Sequence, residues 1–226
     1  MKIGVNSFTV NNDIDILKSL RHSGLIDTYE CSKYFYKKYS YCIDKLDIPC
    51  ETFSSLITKD YDINDDVNWF LFIEEFEETI KMAKDVGATK LMFGLSRFRN
   101  NLTNNHYELF DTLVNIAKQN NMTLLYEAIS PKLFKNDFLR THDELIEYSI
   151  AHDIDSIHVD FGTLRSNGES FGNIADKIKV SNIHFPYGEL DISEVKNHDI
   201  SIENYSNKKL SVYDIADYLR KIKESI

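Results

Sequence analysis

Five polar residues of this chain each close a short, largely apolar run. Leu124-Leu125-Tyr126 leads to Glu127, Ile157-His158-Val159 to Asp160, and Ile200-Ser201-Ile202 to Glu203. The run from Val180 ends at His184, and the one from Leu25 ends at Glu30. Short apolar runs bounded by polar residues read as buried strands. If those strands are parallel, their C-terminal ends carry all five side chains to one mouth. Four carboxylates and an imidazole in a half-buried mouth repel one another and resist desolvation. A divalent cation removes that conflict. Carboxylates with one imidazole form a hard, oxygen-rich set suited to Mn²⁺ or Mg²⁺, with Co²⁺, Fe²⁺ or Zn²⁺ also accommodated. Taken singly each residue is bland, since a lone strand-end Glu is more often a solvated acid or a helix cap. The set says more than its members, because four consecutive strands end in a residue of ligand type.

The elements that must position these residues alternate along the whole chain. Strands are expected at Lys2–Asn6, Leu25–Glu30, Ile48–Phe53, Thr89–Phe93, Met122–Glu127, Asp155–Asp160, Val180–His184 and Asp199–Glu203. Helical patterns fall at Asp13–His22, Asp66–Val86, Asn105–Gln119 and Val212–Lys223, with shorter ones at Phe171–Lys179 and Ile192–Lys196. Gly87 is a suitable residue to end the long helix, and Thr141-His142-Asp143-Glu144 opens another with a capping-box-like signal. Phe72, Phe76, Ile80 and Ala83 form a core-facing stripe on the long helix. Tyr34–Tyr41 is aromatic but poorly patterned. Eight β-then-α units predict a parallel sheet covered by helices and closed as a compact (β/α)₈ TIM barrel, a single α/β domain over residues 1–226. The competing doubly wound open sheet finds no GxGxxG and no P-loop in its support.

Composition narrows the partners. A formal charge of −10, with no basic cluster longer than Lys37-Lys38 or Lys208-Lys209, argues against a general nucleic-acid binder or an anionic-membrane protein. The apolar run Trp69–Ile73 is too short to span a bilayer. The three cysteines, Cys31, Cys42 and Cys50, include no CxxC and read as free thiols of a reducing compartment. The first residues lack an apolar secretory segment, so the expected location is the cytoplasm. A homodimer is the base-rate expectation for assembly.

The chain resembles the xylose isomerase-like (AP endonuclease family 2) TIM barrels, the sugar phosphate isomerase/epimerase superfamily. The resemblance runs over most of the sequence. Lys2–Asn6 looks like that family's first strand, Ile26-Asp27-Thr28-Tyr29-Glu30 like its second, and Ala83–Leu91 like its helix–Gly–Ala–strand segment. It implies a single divalent metal ion held by Glu127, Asp160, His184 and Glu203. It also implies that Glu127 and Glu203 move protons on an α-hydroxy-carbonyl sugar or sugar derivative through a metal-held enediolate. The substrate-binding residues expected from this placement are Asn6, Glu30, His158, Arg97 and Arg165. Arg97, Arg99 and Arg165 suit an anionic group on the substrate, or else are solvated loop cations. His158, two residues before Asp160, faces the same side of its strand. It reads as a second-shell partner, an extra ligand, or a deeper interior histidine with a hydrogen bond. The chain departs from the ketose epimerases at Thr163, where they carry a His, and in His184–Leu190, which lacks their Arg. It also lacks the further histidines after strands three and four that a trinuclear zinc site needs. A lyase or dehydratase on the same site, and a non-catalytic barrel, are the alternative readings.

Overall fold

A computed structural model describes residues 1–63, 65–94, 106–128, 130, 139–206 and 208–226. Eight strands form one sheet: β1 (Ile3–Asn6), β2 (Thr28–Ser32), β3 (Cys50–Ser54), β4 (Lys90–Phe93), β5 (Thr123–Tyr126), β6 (Ser156–Asp160), β7 (Lys179–Pro186) and β8 (Ile200–Glu203). Their order is β5-β4-β3-β2-β1-β8-β7-β6 and every pairing is parallel. Glu127, just past β5, bridges in parallel to His158 of β6 and brings the two edges of the sheet together. The result is a nearly closed (β/α)₈ barrel. All strand C-terminal ends share one face, and the residues that end them are gathered there.

The helices are α1 (Ile14–His22), α2 (Lys33–Tyr39), α3 (Asp66–Asp85), α4 (Tyr107–Gln119), α5 (His142–Ala151), α6 (Phe161–Asn167), α7 (Phe171–Ala175) and α8 (Val212–Glu224). Side chains fix many of their starts. Asp13, Asp65 and Thr141 cap α1, α3 and α5 by accepting backbone N–H groups, and Ser211 opens α8 with a full capping box. Past the end of α3, Gly87 takes a left-handed φ of 76° that a residue with a Cβ rarely adopts. The α3 stripe is buried as its spacing requires, Phe72, Phe76 and Ala83 completely and Ile80 nearly so.

The structure departs from the sequence reading in several places. The aromatic stretch after β2 is helical, because Ser32 caps α2 through the Phe35 N–H at 3.1 Å and Phe35 is drawn into the core. β2 starts at Thr28, not Leu25, and β7 starts at Lys179 and runs on to Pro186. The expected helix over Phe171–Lys179 is the short α7, and α6 precedes it directly from β6. The segment Ile192–Lys196 makes turns, so among the described residues β6 is followed by two short helices and β7 by none. Asp160 explains α6: its Oδ1 accepts the Thr163 N–H at 2.6 Å and starts a helix at the strand end itself.

Candidate metal centre

The centre is built around His184. It lies in β7 opposite Asp160 of β6 on one side and Ser201 of β8 on the other, and it is 1% exposed. Its Nε2 is 2.8 Å from Glu30 Oε2, and Glu30 Oε1 accepts the Asn6 amide N–H at 2.5 Å. The carboxylate on Nε2 favours the tautomer that carries its proton there. Nδ1 then faces the acids at the barrel mouth. Glu203 Oε2 is 2.6 Å from Nδ1, close enough for an ion pair. The approach is not aligned as a hydrogen bond, so Nδ1 is buried without a hydrogen-bond partner. Burial pulls the imidazole toward the neutral form, but the charges of Glu203 and Glu30 outweigh it and hold its pKa well above the usual value.

Asp160 has both oxygens engaged, Oδ1 by the α6 backbone and Oδ2 by the hydroxyl of Tyr205. Burial raises its carboxyl above the ordinary range, and Glu203 adds to this. The hydrogen bond from Tyr205, the His184 charge and the Thr163 N–H pull the other way without cancelling it. Asp160, His184 and Glu203 each offer a ligand atom, and the three atoms lie within 4.8 Å of one another. Glu127, His158 and His184 form a second such group. Gly94, after β4, is shaped by this cluster: a Cβ there would stand 2.7 Å from Glu127 Oε2. A cavity of about 220 Å³ opens over Glu203 and Gly94, lined also by Asn6, Ser54, Ser55 and Met92, with Phe8 and Tyr34 at its rim.

The sequence-derived residues fall into three sets. Asp160, His184 and Glu203 meet in one group, and Glu127 meets His184 and His158 in another. Glu30 is 2% exposed and Asn6 1%; Glu30 backs His184, while Asn6 holds Glu30 and also reaches the cavity wall. His158 is fully buried beside His184, the ring centroids 4.2 Å apart, and burial drives its pKa well below the usual value. Arg165 pairs with Glu189 and lies over the Phe161 ring at 5.8 Å, so its charge is already answered within the protein. Arg97, with Arg99, lies outside the described residues. Sequence reasoning missed Tyr205 and Asn182. Tyr205 sits two residues past Glu203, a spacing that would have drawn attention to it; Asn182, two before His184, carries no such mark.

The donor set fits a divalent cation on two observations. His184 Nδ1 is a buried nitrogen with no hydrogen-bond partner, and it faces two carboxylates. A carboxylate on the opposite ring nitrogen orients the imidazole, as metal-bound histidines generally require.

No protein-family model matches the chain, and no curated protein matches it in sequence. Solved structures do match it in fold. An L-ribulose 3-epimerase superposes with a TM-score of 0.76 at 17% identity, covering 99% of this chain and 95% of that one. A 3-keto-D-glucoside 4-epimerase from E. coli, in its apo form, gives 0.75 at 13% identity with 99% of both chains covered. The IolI protein, with a bound zinc atom, gives 0.72 at 15% identity over 100% of this chain and 96% of that one. The chain therefore shares its (β/α)₈ barrel fold with these proteins.

Proposed function

We propose that this protein is a divalent-metal-dependent isomerase or epimerase acting on a small sugar or sugar derivative that carries an α-hydroxy-carbonyl group. The observation that carries the proposal is the meeting of Asp160, His184 and Glu203 from three adjacent strands, with His184 Nδ1 buried and lacking a hydrogen bond between them. The barrel fold shared with two sugar epimerases, and with the zinc-bound IolI protein, supports it. Glu127, Asp160, His184 and Glu203 would hold the ion. When bound, the cation polarises the carbonyl and hydroxyl oxygens of the substrate as a Lewis acid.

The remaining work falls to side chains of the chain itself. Glu127 follows β5 and Glu203 ends β8. One takes the proton from the carbon beside the carbonyl and the other returns it, to the neighbouring carbon for isomerisation or to the opposite face for epimerisation. Glu30 keeps His184 in place, Tyr205 keeps Asp160 in place, and Gly94 leaves room for the Glu127 carboxylate. The cavity over Glu203 receives the substrate, and Phe8 and Tyr34 give it apolar edges.

The test is solvent exchange. Sugars and sugar derivatives incubated with the metal-loaded protein in D₂O should take up deuterium on a carbon next to the carbonyl, with product mass otherwise unchanged. Glu127→Gln or Glu203→Gln should abolish the uptake. Exchange that persists in both variants would refute the assignment, and loss of one water from the product would make the reaction a dehydration.

A further inference from the structure

His158 has no part in the proton transfers above. It lies on β6 two residues before Asp160, so both side chains point into the barrel with His158 the deeper. Its ring is completely buried, and Nε2 has no hydrogen-bond partner. Nδ1, by contrast, is 3.1 Å from the side-chain amide of Asn182. An interior histidine held for packing alone is expected to have both nitrogens answered, because a buried polar atom left unpaired costs about 1–3 kcal/mol. Here one is answered and the other is not. His158 itself belongs to a cluster already described. Glu127, His158 and His184 offer ligand atoms within 4.8 Å of one another, and Asp160, His184 and Glu203 do the same, so the two groups meet at His184. The His158 and His184 rings stand edge to face at 75°. Each ring has one buried nitrogen without a hydrogen bond, Nε2 in His158 and Nδ1 in His184.

We propose that His158 Nε2 is a further ligand of the metal, making the centre one of two imidazoles and three carboxylates. This rests on the metal site of the proposed function and specifies its donor set. It has two consequences. Nδ1 of His158 must carry the proton, so Asn182 meets it with the amide oxygen. A half-turn of the amide achieves this, exchanging oxygen for nitrogen in one place. It trades the long 3.5 Å contact from Asn182 Nδ2 to Glu30 for an amide oxygen at that distance from the carboxylate. The second imidazole also moves the preference of the site from Mg²⁺ toward Co²⁺, Fe²⁺ and Zn²⁺.

The experiment uses the full chain loaded with Co²⁺, whose unpaired electrons shift the proton resonances of its ligands. Two solvent-exchangeable imidazole N–H resonances are expected outside the ordinary spectrum, from His184 Nε2–H and His158 Nδ1–H. His158→Ala should remove one of them and weaken Co²⁺ and Zn²⁺ binding by more than about tenfold, with a smaller effect on Mg²⁺. A single shifted N–H in the wild-type protein overturns the inference while leaving the four-ligand site standing, and this reading does not depend on the variant folding. A wild-type protein that binds no Co²⁺ overturns both.

Discussion

Two groups of charged side chains are buried in this barrel, and they are finished differently. One joins Lys33, at the start of α2, to Glu75 on α3; their side chains are 1% and 2% exposed. Glu75 Oε1 accepts from Lys33 Nζ at 2.6 Å, from the Thr58 N–H at 3.0 Å and from Thr58 Oγ1 at 2.8 Å, and Oε2 accepts from the Tyr61 hydroxyl at 2.9 Å. Lys33 also reaches the Leu56 carbonyl at 3.3 Å. Cation and anion balance, and both carboxylate oxygens are engaged. The other group, at the barrel mouth, gathers Glu127, Asp160 and Glu203 around His184 and leaves two imidazole nitrogens without hydrogen bonds. Buried charge that is balanced and fully hydrogen-bonded is structural: it ties the segment after β3 to α2 and α3, and so holds Ser54 to Ile57 against the cavity. Buried acids in excess, beside one imidazole nitrogen held only by an ion pair and another with no hydrogen bond, mark a place prepared for a cation.

The largest effect that separates the two groups is on stability. Glu75→Gln strands a buried ammonium and should destabilise the protein by about 3–5 kcal/mol, measured as a lower midpoint in urea. A loss below about 1 kcal/mol would show that the Lys33–Glu75 pair is not structural. The same variant sharpens the contrast in acid. Burial alone would raise the Glu75 carboxyl, but Lys33, Thr58 and Tyr61 outweigh it and bring it down from 4.5 to about 2. A depressed carboxyl contributes stability that is complete above its unfolded pKa and is lost as pH falls through its folded one. The wild-type protein should therefore lose stability between pH 4.5 and about 2 more steeply than Glu75→Gln, as followed by circular dichroism. Parallel acid limbs would mean that Glu75 does not titrate as its surroundings imply.

At the mouth the expected effects are on metal first. Tyr205→Phe removes the hydroxyl that holds Asp160 Oδ2 and should weaken Co²⁺ or Mn²⁺ binding by about tenfold, read by competition with a chelating dye; unchanged affinity would leave Tyr205 without a positioning role. The smallest effect is the most telling in sign. Asp160 is buried among other acids with its pKa raised, so its charge opposes folding where Glu75 favours it. Metal-free Asp160→Asn, which can still cap α6, should unfold no earlier than the metal-free wild type. A clear loss of stability would place Asp160 with Glu75 among the structural charges.

These comparisons also mark what a sequence can show. Glu127, Asp160, His184 and Glu203 were legible because each closes an apolar run, and parallel strands have one place to deliver such residues. The barrel followed from the same alternation. α2 was hidden because its evidence is a cap by Ser32 and an inward Phe35, which no periodicity over seven residues reveals. The role of Glu30 in backing His184 was hidden because the two are 154 residues apart. Nothing in the sequence marks Lys33 and Glu75 as a pair, because only the packing of α2 on α3 closes water out around them. Arg165 looked available to a substrate anion, and its pairing with Glu189 depends on how the chain turns after β7.

The central claim is that the acids and imidazoles at the barrel mouth hold a metal. It is tested most directly by elemental mass spectrometry of the purified protein, beside an Asp160→Ala, His184→Ala double variant confirmed to be folded. The account predicts close to one equivalent of a divalent metal in the wild-type protein, native or after reloading and dialysis, and none in the variant. No retained metal in the wild-type protein, or equal metal in both, would contradict it.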